Sequence, residues 1–255
     1  MNPIMIIARN TFREVIRDRI LYGLIVFALM LLFLSLALGQ LTFDENLRLS
    51  ANFGFTGIHI ATIVLSAFVG SSLVSKEIDK QTILTLLARP ISRAQFILGK
   101  ALGLLSVLLV IAVGLAAILS VFLYLLNFQF SVEYLIAVAG ILFEAAVILS
   151  LALFFGSFSR PMMTVIFTAA IFMLGHWVES LEFFVQRSDS TAFKVVGTAV
   201  RYVVPNLEKF NWRAAPVYGT SIPGSEILGA TFTMLGWVVV LVSATVLIFR
   251  RRDFV

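Results

Sequence analysis

The feature that most constrains this chain is a series of apolar runs carrying very few charges, each long enough for a helix to cross a bilayer core, which takes ~20 residues. Six occur, at about 20–39, 56–74, 98–126, 132–155, 162–178 and 227–249. Backbone amides in hydrocarbon need partners inside their own segment or in a closed barrel. No alternating ten-residue pattern supports a barrel, so the runs read as helices. The third is long enough to tilt or to extend past the bilayer, and the fifth is short. The rest of the chain agrees: 60% of the 255 residues are hydrophobic and 13% are charged, and the mean hydropathy is +1.02. A soluble protein of that size could not cover its surface with so few polar groups. The expected fold is an all-α polytopic membrane protein with six transmembrane helices, in one transmembrane domain over 1–255.

Ala37-Leu38-Gly39 offers a small-x-small cleavage site, but the first run exceeds a signal core and follows eighteen residues of charged amphipathic sequence, so it reads as a retained helix. Thirteen of the nineteen Lys and Arg fall in alternate connections: Arg9, Arg13, Arg17 and Arg19; Lys76, Lys80, Arg89, Arg93 and Lys100; Arg160; and Arg250, Arg251 and Arg252. The other six are Arg48, Arg187, Lys194, Arg201, Lys209 and Arg213. This bias places both termini in the cytoplasm. The net charge of +5 is spread in topogenic clusters rather than gathered on a nucleic-acid face, so no nucleic-acid partner is expected. The absence of cysteine excludes disulfides, thiolate metal sites and thiol nucleophiles.

The connections carry the mechanism. Residues 1–19 alternate Ile4, Ile7, Phe12 and Val15 with Arg9, Arg13, Glu14, Arg17 and Asp18; this is an interfacial amphipathic helix or a simple topogenic anchor. Residues 75–97 combine Lys76, Glu77, Asp79, Lys80, Arg89 and Arg93 with apolar Ile78, Ile83, Leu84, Leu86 and Leu87. Ser75 is placed to cap a short helix, Arg89-Pro90 to end it and Ser92 to cap the next. The segment suits docking in a partner's groove, or forms a solvated turn with interfacial packing. Gly99-x-x-x-Gly103 permits close helix approach. Leu98-Gly99-Lys100 is not a phosphate loop, because Ala94 and Ala101 stand where Gly and Ser or Thr are needed. The segment 179–226 contains an amphipathic stripe, Phe193, Val196, Val200 and Val203, stopped by Pro205-Asn206, and Asn211-Trp212-Arg213 suits an interface. It reads as a structural cap over the spans or a gate over a substrate exit.

Glu144 lies mid-span in the fourth run, where a carboxylate is costly and must be protonated, paired or turned inward. It is a conduit residue or a packing hydrogen bond. His59 and His176 lie near the outer ends of their spans, and with Glu179 they could ligate a metal only if the helices met. Nothing in the spacing requires a metal, and no catalytic triad is indicated. No catalytic, cofactor-binding or metal residues are expected.

Lys76-Glu77…Gln81-Thr82-Ile83, then Leu86-Leu87-Ala88-Arg89-Pro90-Ile91-Ser92-Arg93 and Gly99-Lys100, resembles the permease subunits of ABC-2 type transporters. The branch resembled is typified by the membrane subunit associated with copper-enzyme maturation in denitrifiers. Ala8-Arg9-Asn10-Thr11-Phe12-Arg13-Glu14 and the closing Arg251-Arg252-Asp253-Phe254 resemble it as well. Gln81 replaces the usual Gly before Thr82. The resemblance implies a type V exporter-like permease in the bacterial cytoplasmic membrane. It further implies pairing with a second permease, a homodimer, and with a cytoplasmic ABC ATPase that holds the ATP and Mg. Lys76, Glu77, Asp79, Lys80, Gln81, Thr82, Leu86 and Arg89 would meet that ATPase. Lipid and a periplasmic accessory protein complete the implied partners. Two other readings stand beside it: a non-transporting scaffold or mechanotransmitter driven by the same ATPase, and a proton-coupled carrier using Glu144.

Overall fold

The computed structural model describes residues 2–40, 46–79 and 92–251, with the side chains of 20, 35, 36, 38–40, 72–79 and 251 left aside. Among the described residues every regular element is helical. The elements are α1 Pro3–Ile16, α2 Arg19–Gln40, α3 Asn46–Asp79, α4 Arg93–Leu125, α5 Val132–Gly156, α6 Pro161–Arg187, α7 Thr191–Val203, a 3₁₀ turn Glu208–Phe210, α8 Ala215–Tyr218 and α9 Gly224–Arg251. Five of them (α3, α4, α5, α6 and α9) are long and apolar enough to cross a membrane, and α2 contributes the shorter apolar stretch Leu21–Leu34.

Helix boundaries follow local chemistry more than hydropathy. The sequence reading starts a new helix at Ser75, yet α3 runs unbroken to Asp79. Val74-Ser75-Lys76-Glu77-Ile78 holds no Gly or Pro to stop it. Likewise α6 continues past residue 178 to Arg187, because Glu179, Glu182 and Gln186 are polar but good helix formers. The connection expected over 179–226 is thereby shortened to 188–223. At the start of α4 the expected cap is present as a reciprocal box: Gln95 N–H donates to Ser92 Oγ at 3.2 Å, and Ser92 N–H donates to Gln95 Oε1 at 3.0 Å. The other end of α4 closes on Asn127, whose φ of 60° is one that Asn tolerates.

Helices α3 and α5 form the centre of the bundle. Of their most apolar windows 72% is buried, against 22% for α6 and α9, so most residues of α6 and α9 are exposed or only partly covered. Met162, Phe167, Met173 and Trp177 on α6 are among the exposed residues; such a surface needs lipid or protein against it. Several buried hydroxyls inside the spans return to their own helix, whereas the Thr168 hydroxyl on α6 has no hydrogen-bond partner. Thr62 donates to the Ile58 carbonyl at 2.6 Å, Ser66 to Thr62 at 2.7 Å, Ser150 to Ala146 at 2.8 Å and Thr245 to Leu241 at 2.7 Å.

The Gly99–Gly103 pair finds its partner in α1. A Cβ on Gly99 would lie 2.7 Å from the Ile7 Cβ, and one on Gly103 would lie 2.6 Å from the Ala8 carbonyl oxygen. Ile7, Ala8, Thr11 and Val15 form the buried face of α1, while Arg9 and Arg13 stay exposed. Lys100, only 4% exposed, reaches Glu14 Oε2 at 3.3 Å. Gly103→Val should therefore separate α1 from α4 and lower stability by about 2 kcal/mol or more, read as a fall in the thermal unfolding midpoint in detergent. Gly23→Ala, where nothing lies within 4 Å of the new Cβ, should leave the midpoint unchanged.

Candidate functional site

Two places in the bundle bring candidate residues together. The first is a buried polar cluster at the meeting of α3, α5 and α6. Glu144 sits midway along α5 and is 1% exposed; His59 of α3 is 3% exposed. Glu144 Oε2 lies 2.8 Å from His59 Nε2, and Glu144 Oε1 lies 3.5 Å from His176 Nε2 on α6. The latter distance suits an ion pair if the ring is charged, but the two atoms make no hydrogen bond. The His59 and His176 rings stand edge to face with centroids 6.1 Å apart, and Phe172 packs against both.

The segment after α7 completes the cluster. Arg213 donates from Nη1 to His59 Nδ1 at 2.7 Å and from Nε to Asn211 Oδ1 at 2.8 Å. Asn211 in turn donates to Glu208 Oε1 at 2.6 Å. A continuous polar chain thus runs from Glu208 through Asn211, Arg213 and His59 to Glu144. Burial pushes the Arg213 guanidinium below its ordinary value, and the negative charges of Glu144 and Glu208 act against that shift. Arginine remains charged throughout.

This segment is packed in rather than draped over the spans. Leu207, Phe210 and Trp212 are 0%, 1% and 5% exposed. The Phe210 backbone presses onto Gly140 of α5 so closely that its carbonyl oxygen and the Trp212 ring occupy the place of a Cβ. Irregular backbone is tolerated beside membrane spans only where protein covers it, and here it is covered. The Asn-Trp-Arg run expected at an interface is consequently internal: Trp212 Nε1 donates to Glu226 Oε1 at 3.2 Å. Glu179, the acid grouped with the two histidines on sequence, instead accepts from Asn206 Nδ2 at 3.1 Å. Glu144 takes its place, so His59, Glu144 and His176 are the ligand-type atoms that lie within 4.8 Å of one another. On sequence Arg213 reads only as an interfacial cation beside Trp212, and nothing local signals that it reaches His59. Beyond the segment, a cleft of about 630 Å³ between α6, α7 and α9 is lined by Glu179, Glu182, Arg201, Lys209 and Trp237 among others. With both signs of charge present, it selects neither anion nor cation. On α7 the expected apolar stripe stays outward, with Val196 and Val203 61% and 70% exposed.

The second place is the start of α4, against which both α1 and the end of α9 pack. Arg93 Nη1 donates to the carbonyls of Phe249 and Arg250 at 3.0 and 2.9 Å, supplying a cation to the C-terminal end of α9. Phe96 stacks on Phe249 with centroids 6.0 Å apart. With α1 on its other side, the first turns of α4 are held to two further helices. Of the residues expected to meet an ATPase, Lys76, Glu77 and Asp79 fall in the last turn and a half of the α3 backbone. Lys80, Gln81, Thr82, Leu86 and Arg89 lie outside the described residues.

Long apolar helices, central buried spans and lipid-type outer surfaces define a multi-pass α-helical membrane protein. The sequence profile of the family described as ABC-2 family transporter protein matches residues 16–181, well over half of the chain, and the chain belongs to that family. A search of the curated proteins finds no match. The family is a membrane transport component that associates with an ABC ATPase.

Removing either charge of the cluster should leave the other poorly compensated. Glu144→Ala and Arg213→Ala are each expected to destabilise the purified protein by about 2–4 kcal/mol. The double variant should lose at least ~1 kcal/mol less than the sum, measured as a double-mutant cycle of thermal unfolding. Full additivity would contradict the coupling described.

Proposed function

We propose that this chain is the membrane-spanning permease subunit of an ABC transporter. Six spans, α2 included, would cross the bacterial cytoplasmic membrane with both termini in the cytoplasm, and two permease chains would pair with two cytoplasmic ATPases. The observation that carries this reading is the clamped start of α4. The stretch that resembles the family's coupling helix, around Lys76–Arg89, joins the end of α3 to that start. Force delivered there by ATP-driven closure would enter α3 directly and would move α4 together with α1 and α9, because Arg93, Lys100, Gly99 and Gly103 tie them. In this reading α1 lies along the cytoplasmic interface beside the ATPase with Arg9 and Arg13 toward head groups. The 188–223 segment then closes the extracytoplasmic end. The chain supplies no chemistry of its own; ATP and Mg belong to the partner. Its resemblance to the copper-enzyme-maturation branch does not select a cargo, since kinship of fold does not fix substrate.

The scaffold reading shares the same ATPase docking and differs only in flux. Co-expression should yield a complex with the ATPase, and Glu77→Lys with Lys80→Glu should lower permease-stimulated ATP hydrolysis about tenfold without loss of the folded permease. Unchanged stimulation after both reversals would sink the coupling assignment. ATP-dependent flux in reconstituted vesicles separates a transporter from a mechanotransmitter that hydrolyses ATP without moving cargo.

A further inference from the structure

The buried cluster can be read proton by proton. A guanidinium has only donors, so the 2.7 Å contact from Arg213 makes His59 Nδ1 an acceptor. The neutral ring then carries its hydrogen on Nε2, which donates to Glu144 Oε2 at 2.8 Å. On α6 the Phe172 carbonyl oxygen, which can only accept, lies 3.2 Å from His176 Nδ1. The hydrogen of His176 is therefore on Nδ1, and Nε2 presents a lone pair. That lone pair faces Glu144 Oε1 at 3.5 Å, and both atoms are buried without a hydrogen-bond partner. Two acceptors left in this way repel each other and forfeit their solvation. A single positive charge in the gap removes both penalties.

A metal ion fits poorly. Although three ligand-type atoms lie within 4.8 Å, His59 is already engaged at both nitrogens, by Arg213 and by the hydrogen it gives to Glu144. Two ligands remain, fewer than the three protein ligands that a zinc site uses, and the guanidinium adds positive charge nearby.

We propose that Glu144 and His176 bind one proton between them, and that this intramembrane proton site is linked through His59 and Arg213 to the docking of the 188–223 segment. Without the proton, the full carboxylate charge faces His59 and attracts Arg213. With it, part of that charge is answered from α6, and the hold on Arg213 weakens. The titratable and charged groups facing the site are His59 from α3, His176 from α6, and Arg213 and Glu208 from the segment. Glu179 and Glu226 are turned to Asn206 and Trp212 instead. Proton loss thus tightens the segment onto the spans and proton uptake loosens it. The inference rests on membership of the membrane-spanning family and is independent of cargo and ATPase.

The test uses the full chain alone in nanodiscs, so its failure leaves the permease reading untouched. Infrared pH-difference spectra between about pH 4 and pH 9 should show a titrating signal that disappears in Glu144→Gln, shifts in His176→Gln and is unchanged in Glu179→Gln. The natural chain has no cysteine, so a spin label at Lys209→Cys reports the segment alone. Its mobility should rise as pH falls. In Glu144→Gln, which imitates the protonated acid, it should stay high at every pH. Thermal unfolding confirms that each variant is folded, and His176→Phe serves if His176→Gln is not. A spectrum with no signal lost in Glu144→Gln overturns the proton site, and a label indifferent to pH overturns the linkage. One-to-one binding of Zn²⁺ abolished equally by His59→Ala, Glu144→Gln and His176→Phe would replace the proton with a metal.

Discussion

Glu144 places a carboxylate in the middle of one of the two most buried spans, and the polar architecture of the bundle is arranged around it. A lone carboxylate there is untenable in hydrocarbon. The charge is answered by His59 from the neighbouring helix and, one step further, by Arg213 from a segment that must fold back among the spans to deliver it. The backbone of that segment is irregular, and its burial depends on Leu207 packing against Gly175 of α6 and on Phe210 and Trp212 packing against Phe143 of α5. The close seat against Gly140 lets them do so. One buried charge thus accounts for a half-buried arginine, a fixed histidine tautomer and a connection that is part of the core.

The opposite end of the bundle is organised by packing. Small residues on α4 let α1 approach until backbone meets backbone, and Arg93 ties the first turn of α4 to the end of α9. This produces a stiff unit at the end where the chain is joined to the Lys76–Arg89 stretch. The two ends therefore differ in kind. One is held by shape and can pass on a displacement, and the other is held by a polar network whose strength changes with a proton. Helices α3 and α5, buried on most sides, connect them.

Much of the helical inventory was legible in the residues. Lengths near 20 apolar residues, the Ser92–Gln95 cap and the Gly99–Gly103 spacing each depend on neighbours within a few positions, and each appears in the structure. Boundaries read from hydropathy failed at Ser75 and at residue 178 for one reason: polarity marks where a helix leaves lipid, while propensity marks where the helix stops. At the site, Glu144 was conspicuous because an acid in an apolar run has no other explanation. Arg213 was not, because beside Trp212 it reads as an interfacial cation and nothing local shows that its connection folds inward.

The sequence by itself determined that the chain spans a membrane as helices, since hydrocarbon leaves the backbone no open alternative. It also determined that one carboxylate would need an answer inside. Only the tertiary structure decided what that answer is. His59, Glu144, His176 and Arg213 are far apart along the chain, and no local pattern encodes which helix faces meet. Their association follows from how α3, α5 and α6 pack and from the fold-back that carries Arg213 inward. The same packing turned Glu179 away to Asn206 and left Glu144 and His176 facing each other across the gap.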